Sequence, residues 1–272
     1  MTPNEVCHYT KKDTALEKIL SGRKIKFGLL GLTNDPKETK LTQMRLVSIG
    51  TPFYDQTYEA QVLTESERIL KEEWKVLCTT QHLPIKKNQD SIKNEVLSKF
   101  RHGYNRPRMW AQYAENHSGV CLIFNGKKLH ENIRSSLSKE SKLFCGVVNY
   151  KNYGSIASKP LPRNNLLLNK SKLSDTLREH YLKYYEHYFL SKYPDWQNET
   201  EYRWLVHNTS NAPEFVDITG ALKTVIVGSD FPTVYEPAII AVCKKLKVDV
   251  GKMEWRNGLP EPSLSSLYNS KD

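Results

Sequence analysis

Apolar residues come in short blocks along this chain, separated by turn-forming or capped polar stretches, and their spacing alternates between the two-residue and near-four-residue periods. Val6 to Thr10 reads as a strand. Thr14 and Glu17 then form a capping-box pattern ahead of Ala15, Leu16, Ile19 and Leu20, predicting a helix stopped by Ser21-Gly22. Lys24 to Leu30 is a second extended run, and Leu32-Thr33-Asn34-Asp35-Pro36 predicts a turn, because the residue before proline avoids the helix and Asn and Asp favour turns. Thr64 to Glu73 reads as a helix with Thr64 and Glu67 as its capping pair, followed by a buried strand at Trp74 to Thr80 and a basic polar loop at Pro84 to Asn94. Arg108 to Asn116 predicts a short helix with Met109, Trp110 and Tyr113 on one side, and Gly119 to Phe124 and Phe144 to Tyr150 predict strands.

Residues 151–170, rich in Lys, Ser, Asn and Pro, read as an exposed connection. The longest helix is predicted over Ser171 to Ser191, where Leu173, Leu177, Tyr181, Tyr184 or Tyr185 and Tyr188 recur near helical spacing, a pattern that fits a core face better than a base-stacking platform. Strands at Phe215 to Ile218 and Thr224 to Val227, a helix from Thr233 to Leu246 and a strand at Val248 to Trp255 complete the pattern. There is no internal repeat and no regular βα alternation. The expectation is one globular domain over 1–272 of the α+β class, with mixed, mostly antiparallel sheets and flanking helices.

Composition narrows the function. At 272 residues, 39% hydrophobic and 10% aromatic, the chain can bury a sizeable core. Forty Lys and Arg against thirty Asp and Glu leave +10, which points to a polyanionic partner such as nucleic acid, with Lys86, Lys87 and Lys93 of the basic loop as its contacts. The five cysteines are odd in number and scattered in apolar runs, the pattern of free thiols in a reducing cytoplasm. No CxxC half-site and no HExxH occur, so no metal is expected. The first residues carry no basic-then-apolar signal, and no run approaches the roughly 18–20 apolar residues of a membrane span, so a cytoplasmic protein without a membrane partner is expected.

The strongest chemical candidate is Glu199-Thr200-Glu201, at the start of the apolar run Tyr202 to Val206. On one strand, Glu199 and Glu201 would share a face with Arg203, and two carboxylates forced together split their pKa values. The alternative is an ion-pair row at a solvated strand end. Asn34, Asp35 and Glu38 are either a second polar site or turn chemistry. His117 fits a helix cap as well as an acid or base.

Several passages together resemble DUF2971, a bacterial family of unknown function: His8-Tyr9, Asn34-Asp35-Pro36-x-Glu38, Cys78-Thr79-Thr80, the run from Met109 to Cys121, Val148-Asn149-Tyr150, Trp196-x-x-Glu199-x-Glu201-x-Arg203 and Val225-Ile226-Val227-Gly228. Three smaller landmarks resemble ADP-ribosyltransferases: His8-Tyr9-Thr10 before a helix, the paired hydroxyls Thr79-Thr80 ending a strand, and Glu199-x-Glu201. That resemblance implies a split two-sheet core that grips NAD as co-substrate. It makes Glu201 the catalytic carboxylate at the ribose 2′-OH, where positive charge develops as the nicotinamide bond breaks, and gives Glu199 the acceptor nucleophile. His8, Tyr9, Thr10 and Thr80 would hold the ribose, Tyr113 would stack on nicotinamide or on a base, and Arg23 would meet the pyrophosphate. The implied activity is that of a toxin or phage-defence effector modifying nucleic acid or protein, with an antitoxin or regulatory partner. Two other readings remain: a non-catalytic nucleic-acid-binding or sensor module, and a metal-dependent nuclease built on Asp35, Glu38, Glu199 and Glu201.

Overall fold

The computed structural model describes residues 2–39, 56–83, 100–151, 159, 161, 170–210 and 212–271. Strand β1 (Glu5–Thr10) leads into a helical segment α1 (Thr14–Leu20), then β2 (Lys24–Lys26), β3 (Gly28–Leu29) and a short turn of helix at Pro36–Thr39. Helix α2 (Gln56–Arg68) continues through a wider turn at Ile69–Glu73 into β4 (Trp74–Gln81). Next come α3 (Pro107–Tyr113), β5 (Val120–Asn125), α4 (Gly126–Ser136), β6 (Lys142–Val147), β7 (Asn149–Tyr150), α5 (Leu173–Lys183), α6 (Tyr185–Phe189) and β8 (Ser191–Lys192). The chain ends with β9 (Glu201–His207), β10 (Phe215–Asp217), β11 (Leu222–Val227), α7 (Glu236–Leu246), β12 (Asp249–Arg256) and β13 (Leu259–Tyr268).

The principal sheet runs β13-β12-β11-β5-β1-β4-β9-β6, with β3 added to β4, and two small ribbons pair β10 with β2 and β7 with β8. Only β11–β12 and β7–β8 are parallel. The class is α+β, as expected. One feature of the sheet matters for function. β1 pairs with β5 along its whole length, but with β4 only at Val6↔Gln81 and Cys7↔Thr80. The two halves of the sheet are thus joined by one short seam, where the resemblance implied a split two-sheet core.

Alternation along the strands assigns their faces. Val6, Leu77, Leu122, Tyr202, Trp204 and Val225 point to one side, where Ala15, Ile19 and Leu20 of α1, Leu129 and Ile133 of α4, and Ile239 and Cys243 of α7 cover them in the largest core. The other side carries two separate cores. Cys7, Tyr9, Cys121 and Ile123 pack under Met109 and Trp110 of α3, while Val76 and Leu205 pack under α2, α5 and α6. Between these two cores the same face is polar. All five cysteines are free thiols, and no helix among the described residues is long and apolar enough to cross a membrane.

Several sequence expectations change in detail. Thr64 lies inside α2, which starts by Gln56, so it caps nothing. No side chain caps α1 either. The helix predicted to Ser191 breaks at Tyr184 (φ −113°, ψ 24°), and Ser191 and Lys192 become a strand, because pairing with Asn149 and Tyr150 outweighs continued helical period. Two elements had not been predicted: α4, whose Asn125 side chain accepts the Lys128 N–H at 3.0 Å as a helix cap, and the edge strand β13. Most of the 151–170 connection and all of the Lys86, Lys87 and Lys93 loop lie outside the described residues.

One buried carboxylate ties the second face together. Glu73, 1% exposed, accepts from Arg68 (2.7 Å), from Arg178 Nε and Nη2 (both 2.9 Å) and meets His207 Nε2 at 3.2 Å, so it joins α2, α5 and β9. Glu73→Gln should destabilise the protein by about 2 kcal/mol, since it removes the buried charge that the half-buried Arg68 and Arg178 guanidinium groups share. The check is the denaturant midpoint, and a shift equivalent to less than about 0.5 kcal/mol, typical of a surface change, would show the cluster to be dispensable.

Candidate functional site

The polar strip between the two cores opens into a cleft of about 220 Å³ beside the seam of β1 and β4. Its walls include His8, Thr80, Tyr113, Glu199, Glu201 and Arg203, together with Asn34 and Lys192. Cross-strand register explains part of this convergence: Thr80 lies opposite Glu201, Cys78 opposite Arg203, and Cys7 opposite Thr80, so these side chains share one face.

The two glutamates arrive differently from the expected strand alternation. Glu199 ends a turn of tight helix at Pro194–Glu199, Thr200 adopts a left-handed conformation (φ 44°, ψ 51°), and only Glu201 begins β9. The turn is pinned to β4, since Gln81 N–H donates to Thr200 O at 3.0 Å and Thr200 Oγ1 donates to Gln81 O at 3.1 Å. Both carboxylates then meet one ammonium: Lys192 Nζ lies 2.9 Å from Glu199 Oε2 and 2.8 Å from Glu201 Oε2. Arg203, fully buried, donates to Glu201 at 2.9 Å and to the Phe189 carbonyl at 2.9 Å, and pairs with Glu38. Tyr113 Oη donates to Glu199 Oε1 at 2.6 Å. Glu201 N–H donates to Tyr150 Oη at 3.0 Å, fixing the first residue of β9.

These neighbours push the two carboxyls apart. Burial raises the Glu199 carboxyl, and the nearby Glu201 charge adds to that, so it stays above its ordinary value despite Lys192 and Tyr113. Burial also acts to raise Glu201, but the Arg203 guanidinium and the Lys192 ammonium outweigh it and bring it down to about 2. Three buried acids, Glu38, Glu199 and Glu201, face two buried bases, Lys192 and Arg203, so the cluster favours a further positive charge or a proton. His8 Nδ1–H donates to the Cys78 carbonyl at 3.0 Å, and burial lowers its pKa, so the neutral ring keeps Nε2 as an acceptor. Thr80 Oγ1 is buried and has no hydrogen-bond partner among the described residues.

The cleft therefore gathers Glu199, Glu201, His8, Thr80 and Tyr113 from the sequence candidates. Tyr9 borders it, but its hydroxyl donates to the Gly103 carbonyl at 2.7 Å and its ring packs edge-on against Trp110. Thr10, at the end of β1 opposite Val120, is not among the lining residues, and neither is Arg23, which follows α1 in a left-handed turn whose carbonyl accepts from Ile218 N–H. An Arg placed just past a helix was closer in sequence than in space. His117 sits in the left-handed run that closes α3, beside Trp255. Glu38 joins the site through Arg203, so the turn at Asn34-Asp35-Pro36 serves both folding and the charge cluster. The residue the sequence did not reveal is Lys192, one position past the helix expected over Ser171 to Ser191, and its only signal was the polar break after Leu190.

Residues 109–204 match the family model described as "Protein of unknown function (DUF2971)". Over this stretch the chain is similar to DUF2971. The matched segment supplies Tyr113, Lys192, Glu199, Glu201 and Arg203, whereas His8, Asn34 and Thr80 of the same cleft, and Glu38 paired with Arg203, precede it. No curated protein and no solved structure matches the chain. Among the described residues, no three or more His, Cys, Asp or Glu side chains are grouped to hold a metal ion; at the cluster, Arg203 and Lys192 already occupy the space between the carboxylates.

The opposed pKa shifts give a pH signature. Glu201 contributes stability that is present above its ordinary value of 4.5 and lost as pH falls toward about 2. Glu199, raised, has the opposite sign and costs stability as pH rises through its own pKa. Denaturant midpoints measured against pH should show Glu201→Gln flattening the acid limb, while Glu199→Gln removes the loss on its alkaline side. Parallel profiles for both variants would contradict the split.

Proposed function

We propose that this protein breaks the bond between nicotinamide and ribose in NAD and transfers the ADP-ribosyl group to an acceptor. The observation carrying this reading is that Glu199, Glu201, His8, Thr80 and Tyr113, drawn from five separate elements, line one cleft at the seam of the sheet. Two carboxyls with oppositely shifted pKa values, held a lysine apart, suit a reaction that needs one permanent anion and one proton acceptor.

The division of labour follows from their partners. Glu201 Oε2 is filled by Lys192 and Arg203, but Oε1 meets Arg203 only at 3.3 Å and is left for a ribose hydroxyl. As the carbon–nitrogen bond breaks, its electron pair neutralises the nicotinamide ring, and the charge that appears on the ribose faces the Glu201 carboxylate. The excess of buried acid over base also favours the cationic ring of the intact dinucleotide. Glu199, raised by burial and the Glu201 charge against the opposing pull of Lys192 and Tyr113, takes the proton of the attacking acceptor group. His8 Nε2 offers a further hydrogen bond to the ribose. The +10 charge favours nucleic acid as the acceptor.

Incubation with labelled NAD and total cell RNA, DNA and protein tests this. Nicotinamide release and a labelled acceptor are expected, with Glu201→Gln reducing release at least about 10²-fold, the scale of losing an electrostatic stabiliser. No release, or a Glu201→Gln variant as active as the wild type, would leave the cluster as a structural ion-pair row.

A further inference from the structure

Every strongly buried charge at the cleft has a counter-charge, and one half-buried arginine beside it does not. Arg106 directly precedes α3, and its Nε and Nη2 are buried with no hydrogen-bond partner among the described residues; Nη1 reaches only the Asn198 carbonyl, at 3.5 Å. Burial lowers its pKa, and the groups acting on it are Tyr9, Cys7 and Tyr150. It thus stands between β1 on one side and, on the other, Tyr150 and Asn198, the residues bonded to or adjoining Glu201 and Glu199. The loop that carries it lies directly on the seam: a Cβ at Gly103 would sit 2.9 Å from Thr80 O and 3.1 Å from Cys7 Sγ, so the backbone approaches β1 and β4 as closely as glycine allows.

A guanidinium taken out of water with its fork unpaired is costly to the free protein, and such a cost is retained where a ligand supplies the missing anion. The planar fork matches phosphate oxygens better than a point charge does. We infer that Arg106, assisted by the unpartnered Thr80 hydroxyl on the strand pair beneath its loop, forms a phosphate-binding subsite at the end of the cleft, selective for a nucleoside diphosphate moiety. This deepens the NAD reading and rests on it for the identity of the ligand, while replacing Arg23 as the pyrophosphate contact.

Calorimetric titration with ADP, inorganic pyrophosphate and adenosine tests the subsite without any glycosidic bond to cleave. ADP and pyrophosphate should bind the wild type, with adenosine at least about tenfold weaker. Arg106→Gln should weaken ADP binding at least about tenfold while leaving the melting temperature of the unliganded protein unchanged or higher, and Arg106→Lys should fall between. Unaltered ADP affinity in Arg106→Gln, a lowered unliganded melting temperature in both variants, or no binding of ADP and pyrophosphate by the wild type would overturn it. A protein that binds ADP through Arg106 yet releases no nicotinamide would retain the subsite and overturn the transferase reading instead.

Discussion

A single ammonium group, Lys192 Nζ, holds two buried carboxylates within 2.9 Å, and the polar strip on the second face of the sheet is organised around it. Without it, Glu199 and Glu201 would repel across a low-dielectric cleft and the turn at Thr200 would bring like charges together. Burial of Lys192 acts to lower its own pKa, but Glu201, Glu38 and Glu199 outweigh that and hold it charged. Arg203 completes the arrangement from the next residue on the same strand face, and its second partner, Glu38, ties in the chain before α2.

This cluster explains why the second face carries two hydrophobic cores in place of one. A continuous apolar layer there would leave the charges without partners, so α3 covers one side and α2, α5 and α6 cover the other, with the strip between them. The incomplete β1–β4 ladder lies beside the same strip. Past Cys7 the backbone bonds between β1 and β4 end, and the His8 imidazole instead donates to the Cys78 carbonyl. Loss of ladder pairing and gain of a cleft are thus one structural event.

Local pattern made the ends of the site legible and left its middle hidden. Glu199, Glu201 and Arg203 stood out as charges adjoining an apolar run and Tyr113 as an aromatic on a short helix, while Thr80 was marked only by the resemblance of Thr79-Thr80 to paired hydroxyls ending a strand. The inferred reason for the glutamate pair was only half right, because Glu201 and Arg203 share a strand face but Glu199 reaches it through a left-handed residue that no periodicity reveals. Lys192 was hidden for a different reason. The helical spacing of Leu173, Leu177, Tyr181 and Tyr188 carries past the break at Tyr184, and what turns the chain into β8 is pairing with Asn149 and Tyr150, some forty residues earlier in sequence. Arg106 likewise shows no motif; its unusual state is visible only when its partners are counted in space.

The most direct measurement is a carbon-13 NMR titration of the glutamate side-chain carboxyls, with Glu199→Gln and Glu201→Gln used for assignment. The expected result is one resonance, from Glu201, that titrates near 2, and another, from Glu199, that titrates above 4.5 and moves upward again in Tyr113→Phe, which lacks the donor. Two resonances that both titrate near the ordinary 4.5 would contradict it, since they would show that Lys192 and Arg203 hold no asymmetric pair.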